Sequence, residues 1–160
     1  HRQRHLDGGV MSDDTAAMSD GTAAMSDGTA AMSDGTAAMS NDRMIREFLA
    51  RWERRDTDYI VDCFTDDGVY HSIPLTPIVG KAAIRKFVAG FAGKPPGRLE
   101  IRHQIATDNV VMNERVDYIT INGTAVTLPI CGVFEIEDGR IKAWREYFDL
   151  GPAKAAYATS

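Results

Sequence analysis

Cysteine is scarce in this chain: its 160 residues hold two, Cys63 and Cys131, with no C-x-x-C pair and no Cys/His cluster beside them. That excludes a disulfide framework, leaves both thiols as reduced core residues and offers no ligand set for zinc. Long apolar runs are missing too. No stretch reaches the roughly 18 to 20 continuous apolar residues of a membrane helix, and the N-terminus has no apolar signal core, so the chain reads as cytoplasmic. Nor does one sign of charge dominate. The net charge of -5 comes mostly from residues 1 to 39, which hold six acids and two bases; the remainder has 17 acids against 16 bases. A nearly neutral domain has no electrostatic footprint for nucleic acid or an anionic membrane, and a small, largely uncharged ligand fits it better.

What is present begins with a repeat. Residues 11 to 38 are four heptads, MSDDTAA once and MSDGTAA three times. One Met and two adjacent Ala per heptad, with Gly in three copies, make no a/d seam, so a coiled coil is disfavoured and residues 1 to 39 read as a disordered extension or weak helix. The HRQRHLDGGV segment before the first Met reads as vector-derived or upstream translated sequence. A single domain of ordinary composition is expected over 40 to 160.

Within it, Met44, Ile45, Phe48, Leu49 and Trp52 fall at helical spacing behind possible caps at Ser40 to Asp42. A short helix is expected over Asp58 to Phe64, stopped by Asp66-Asp67-Gly68, then a strand over Val69 to Ile73. Ile84, Phe87, Val88 and Phe91 predict a third helix, which Lys94-Pro95-Pro96-Gly97 ends. A meander of strands follows. Leu99, Ile101, His103 and Ile105 are expected on one face, then Val110 to Ile121, Thr124 to Ile136 and Arg140 to Asp149, joined by turns at Asp108-Asn109, Asn122-Gly123 and Asp138-Gly139. Helices followed by strands give an α+β class: a curved, mixed and mainly antiparallel sheet, with helices packed on one face enclosing a pocket.

Strand alternation puts Arg115 and Asp117 on one face, where an Asp in a strand interior needs a reason. A solvated salt bridge and an ion pair inside a pocket both supply one. Asp149, directly before Leu150-Gly151-Pro152, is either a cap on the turn or a pocket-facing base. Tyr70 and Ser72 share a face of the first strand, with His71 opposite; alone, Tyr70 reads as a core aromatic and His71 as an edge or partly buried residue.

Taken together, Tyr70-His71-Ser72-Ile73-Pro74-Leu75, Asn113-Glu114-Arg115-Val116-Asp117 and Trp144-Arg145-Glu146-Tyr147-Phe148-Asp149-Leu150 resemble the limonene-1,2-epoxide hydrolase family in order and spacing. The resemblance runs over about residues 41 to 151, including Gly132-Val133-Phe134 and the Asp138-Gly139 turn, and does not cover the repeats. It implies a cone-shaped fold, which also hosts ketosteroid isomerases, polyketide cyclases and binding domains. It implies an epoxide hydrolase that adds water directly to a small apolar epoxide to give a vicinal diol, without metal or organic cofactor. In that pattern Asp149 is the base for water, Asp117 the acid for the epoxide oxygen, and Arg115 the bridge between them. Tyr70 helps hold the water, and Ser72 stands where the family usually has Asn. A homodimer is implied as well. Proton-transfer chemistry of the isomerase or cyclase kind and ligand binding without catalysis are the alternative readings, and the second carboxylate favours hydrolysis over both. The apolar wall is sought among Met112, Ile119, Leu128, Ile130, Val133 and Phe148.

Overall fold

The computed structural model describes residues 23–159, with side chains from Gly35 onward. Four helices and six strands follow in the order α1 (Ala23–Glu53), α2 (Thr57–Asp62), β1 (Phe64–Ser72), β2 (Ile78–Val79), α3 (Lys81–Ala89), β3 (Arg98–Ala106), β4 (Val110–Ile121), β5 (Thr124–Glu137), β6 (Arg140–Tyr147) and α4 (Gly151–Ala158). The strands form one mixed sheet, β2-β1-β6-β5-β4-β3, in which only the β1–β6 pairing is parallel. This is the expected α+β architecture.

The first helix departs from expectation at its start. Residues 1–22 of the expected extension lie outside the described residues, whereas from Ala23 the chain is helical, so Ser40 to Asp42 lie inside α1 and cap nothing. Asp42 instead pairs with Arg46 one turn on, at 2.9 Å, and accepts from Gln104 at 2.8 Å. Asn41 donates to the carbonyls of Thr107 and Asp108 at 3.0 and 2.9 Å, pinning α1 to the β3–β4 turn.

Below that anchor the apolar stripe of α1 meets the inner face of the sheet. Ile45, Phe48 and Leu49 are buried there with Phe64, Val111, Phe134, Ile141 and Trp144. Trp144 is the hub: its ring lies 5.2 Å from Phe48 edge-on, 5.2 Å from Phe134 stacked, 4.9 Å from Trp52 and 4.6 Å from Tyr70. Such contacts add to the burial of the rings and fix their orientation. A second cluster, Ile121, Val126, Leu128 and Ile130, is covered by Ala153 and Ala156 of α4. The helices therefore lie on one face and leave a hollow between the two clusters.

Both hairpin turns follow their residues. Asn122-Gly123 (φ 49° and 79°) and Asp138-Gly139 (φ 48° and 71°) have the two successive left-handed residues of a type I′ turn. Three irregularities escape the sequence pattern. First, β1 begins at Phe64, and Asp66-Asp67-Gly68 end no helix; they ride a register break between Phe64 and Val69, where Asp67 pairs with Lys142 and Gly68 packs against Phe64. Second, β3 has a bulge between Ile101 and His103. Leu99 and Ile101 face inward as expected, but beyond the bulge the parity flips: Gln104 and Ala106 turn inward, while Ile105 is 73% exposed. Third, β6 shifts register against β5 at Glu135/Ile136 and ends at Tyr147, short of Asp149.

Candidate active site

Neighbouring strands supply the polar centre of the hollow. Parallel pairing sets Tyr70 beside Trp144 and Ser72 beside Glu146, and β4 contributes Asn113, Arg115 and Asp117 from its inward face. Between β4 and β6 runs β5, whose position opposite both Asn113 and Glu146 is Gly132. A side chain there would obstruct the centre. A Cβ on Gly132 would stand 2.7 Å from Arg115 Nη1 and 2.9 Å from Asn113 Oδ1. Glycine in a strand interior weakens it, and close approach of another group is a reason to keep one. Here the bare backbone leaves room for a guanidinium from β4 to reach β6.

Arg115 is 1% exposed and crosses that gap. Its Nε donates to Asp117 Oδ1 at 2.8 Å and its Nη2 to Oδ2 at 3.3 Å, while Nη2 also donates to Glu146 Oε1. Nη1 donates to Asn113 Oδ1 at 3.3 Å. Asn113 in turn donates to Gln104 Oε1 at 3.1 Å, and Gln104 donates to Asp42, so the bulge in β3 completes a chain of hydrogen bonds from α1 to the guanidinium. The other oxygen of Glu146, Oε2, accepts from Tyr70 Oη at 2.6 Å and from Ser72 Oγ at 3.5 Å; the two hydroxyls are 2.9 Å apart.

The electrostatics follow from burial and from one cation facing two acids. Burial pushes Asp117 up to about 6; the Arg115 charge opposes the rise and the Glu146 charge adds to it. Burial works against the Arg115 charge, but the two carboxylates outweigh it and raise its pKa further. Tyr70 lies well above the usual phenol range because it is buried and faces Glu146, so its hydroxyl stays a donor. The set thus couples two carboxylates of different surroundings to one permanent cation.

Of these groups, Tyr70, Ser72, Asp117 and Glu146 form the floor of a cavity of about 400 Å³. Ile119, Leu128, Ile130 and Phe148 supply apolar wall, as expected; Met112 and Val133 do not, because their parity puts them on the outer face of the sheet. Tyr70, Ser72, Arg115 and Asp117 come together as the sequence reading expects. Asp149 does not join them. It is exposed beyond the end of β6, and its Oδ1 accepts from Gly151 N at 2.8 Å at the start of α4, which is the turn-capping alternative. The inward carboxylate of this segment is Glu146, 5% exposed, which the sequence reading missed. Strand parity contains the signal: Trp144, Glu146 and Phe148 share one face, and Asp149 falls out of step with them. His71 lies on the opposite face from Tyr70, its Nε2 3.0 Å from the Leu75 carbonyl.

A curled α+β sheet with its helices on one face, and a buried carboxylate–guanidinium–carboxylate set under a cavity with an apolar wall, defines the class of protein this is. Comparison with known proteins names the family. The model of the limonene-1,2-epoxide hydrolase catalytic domain matches residues 39–155, and the chain belongs to that family. It is 33% identical over 107 residues to epoxide hydrolase EphG of Mycobacterium tuberculosis, an alignment covering 66% of this chain and 71% of that protein. Among solved structures, an M. tuberculosis LEH-like epoxide hydrolase is similar with a TM-score of 0.66 at 28% identity, over 79% of this chain and 92% of the other. Bal32a, from a soil-derived mobile gene cassette, has a TM-score of 0.67 at 20% identity, over 76% and 98%, and shares the fold. Among the described residues no helix is long and apolar enough to cross a membrane.

Proposed function

We propose that this protein is an epoxide hydrolase that adds water directly to a small epoxide on an apolar skeleton, releasing a vicinal diol. Glu146 is the base, in the role that the sequence reading gave to Asp149. The observation that carries the proposal is the single guanidinium of Arg115, donating to Asp117 and Glu146 at once beneath a cavity with an apolar wall.

Opening an epoxide requires a proton at the leaving oxygen as carbon is attacked, so one acid and one base must serve one small ring. Asp117, whose pKa is raised to about 6, acts in its protonated form. Its Oδ2, with the longer bond to Arg115, carries the proton and gives it to the epoxide oxygen. Water gives its proton to Glu146 as its oxygen bonds to the ring carbon and the C–O bond breaks. Tyr70 and Ser72 orient the carboxylate and the water. One negative charge thereby moves from Glu146 to Asp117 while Arg115, bound to both, keeps its place. Stabilising charge where it develops, without moving a dipole, is the most effective use of such a fixed cation. A proton passed back through solvent restores the start.

The test is a panel of cyclic and terpene epoxides assayed for diol. Diol from none of them, together with isomerisation of an enone, would overturn the proposal in favour of isomerase chemistry. Saturable binding without turnover of either class would favour a binding domain.

A homodimer formed through the outer face of the sheet belongs to the same proposal. Met112 (44%), Ile105 (73%) and Tyr147 (46%) are exposed there beside Cys131, which lies on this outer face and not in the core where the sequence places it, and an apolar sheet face of this kind suits a partner. Sedimentation of a concentrated sample as a monomer would refute it.

A further inference from the structure

The outer end of the cavity is charged in a way that the chemistry at its floor does not use. Arg55 and Lys94 both border it and both lie against the Phe91 ring, Arg55 Cζ 4.9 Å and Lys94 Nζ 5.5 Å from its centroid. Arg55 follows α1 with φ 60°, a left-handed conformation that is uncommon for a long side chain. Its Nη2 donates to the Pro95 carbonyl at 3.3 Å, and its buried Nε meets no acceptor. Neither cation has a carboxylate within ion-pair distance among the described residues, although surface arginines such as Arg51 and Arg85 do. Partial burial without a counter-charge is unfavourable, and it lowers the pKa of Arg55. Among the described residues, the acids bordering the cavity are Asp117 and Glu146, at the floor and already engaged by Arg115. The cavity thus runs from a floor whose charges are paired, past an apolar wall, to a basic rim.

We propose that Arg55 and Lys94 form an anion subsite at the mouth, so that the substrate is an epoxide whose apolar skeleton ends in a carboxylate. A guanidinium recognises the planar carboxylate by shape as well as charge. The Arg115 cation beneath the floor is already engaged by Asp117 and Glu146, so the free cations at the mouth hold the anionic end and leave the floor to the neutral ring. The word epoxide here rests on the function proposed above; the anion subsite stands apart from it and is tested without turnover.

Calorimetry with saturated alkanoates of graded chain length, each against its primary amide, reads the subsite alone. The acid should bind roughly 10-fold more tightly than the amide at low salt, with the preference shrinking as ionic strength rises. In Arg55→Gln the ratio should fall close to one, while Arg55→Lys should keep part of it. Lys94→Gln, at an exposed position that threatens no packing, should lower it by itself. Equal binding of acid and amide to the wild-type protein, or a preference unchanged in both Arg55→Gln and Lys94→Gln, would overturn the proposal. Omega-epoxyalkanoates and their methyl esters then join the two readings. Acid hydrolysed at higher kcat/KM than ester is the expected result, and equal turnover of both overturns the anionic substrate while leaving the hydrolase intact. Selective binding with no turnover of either overturns the hydrolase and leaves the subsite.

Discussion

Gly132→Ala places one methyl group at the centre of the site and tests whether the gap in β5 is what lets Arg115 bridge two strands. The added Cβ would stand 2.7 Å from Nη1 and 2.9 Å from Asn113 Oδ1, whereas ordinary contact begins at 3.4 Å. The guanidinium has to retreat by roughly 0.7 Å, but its Nε–Asp117 bond of 2.8 Å and its bond to Glu146 hold it from two other sides. Overpacking of a filled interior costs about 1–3 kcal/mol. For a domain of this size that lowers Tm by about 3–15 °C. Misplacing a charge by a large fraction of an ångström costs about 10-fold to 100-fold in rate. Thermal melting and diol formation on the best epoxide measure both effects. A variant with wild-type Tm and wild-type turnover would show that Arg115 does not depend on the gap and that the geometry derived for it is wrong.

Glu146→Gln and Asp117→Asn should each lose at least about 100-fold in kcat, while Asp149→Asn should stay within about threefold, since it loses a turn cap of roughly 0.5–2 kcal/mol at most; the reverse ranking restores Asp149 as the base. Asp117 must be protonated to act and its pKa is raised to about 6, so kcat/KM should fall about tenfold per pH unit above that value. Because that folded-state pKa lies above the unfolded one of about 3.9, the stability from protonated Asp117 is fully present below pH 3.9 and lost as pH rises through 6, and melting across that range reads it. Ser72→Ala removes one neutral hydroxyl from Tyr70 and Glu146 and should lower turnover about 2-fold to 10-fold; an unchanged rate would remove Ser72 from the site.

The elements that carry local chemistry were legible in the sequence. Asn122-Gly123 and Asp138-Gly139 fix their turns because only a few residue types accept two left-handed positions in succession, and Arg115-x-Asp117 fixes a face because a strand alternates. The bulge in β3 was not legible: nothing in Arg102 or its neighbours distinguishes an inserted residue from a regular one, and the parity of His103, Gln104 and Ile105 depends on it. The start of β1 was hidden for a related reason, since Asp66-Asp67-Gly68 is composed like a turn and is held in the strand by Lys142 on β6. The base is a different case. Its signal was present, because Glu146 lies in phase with Trp144 and Phe148, but the terminal Asp before Gly151-Pro152 was the more conspicuous carboxylate. The register shift between Glu135 and Ile136 and the end of β6 at Tyr147 then decide which acid faces inward.

Direct addition of water is the central claim, and one turnover decides it. With enzyme in excess over epoxide, in water enriched in heavy oxygen, the first diol formed should carry the solvent label in its new hydroxyl group. A covalent ester route through Asp117 or Glu146 would deliver an oxygen from the enzyme's own carboxylate, leaving the first product unlabelled. An unlabelled first product would contradict the mechanism and turn the base into a nucleophile.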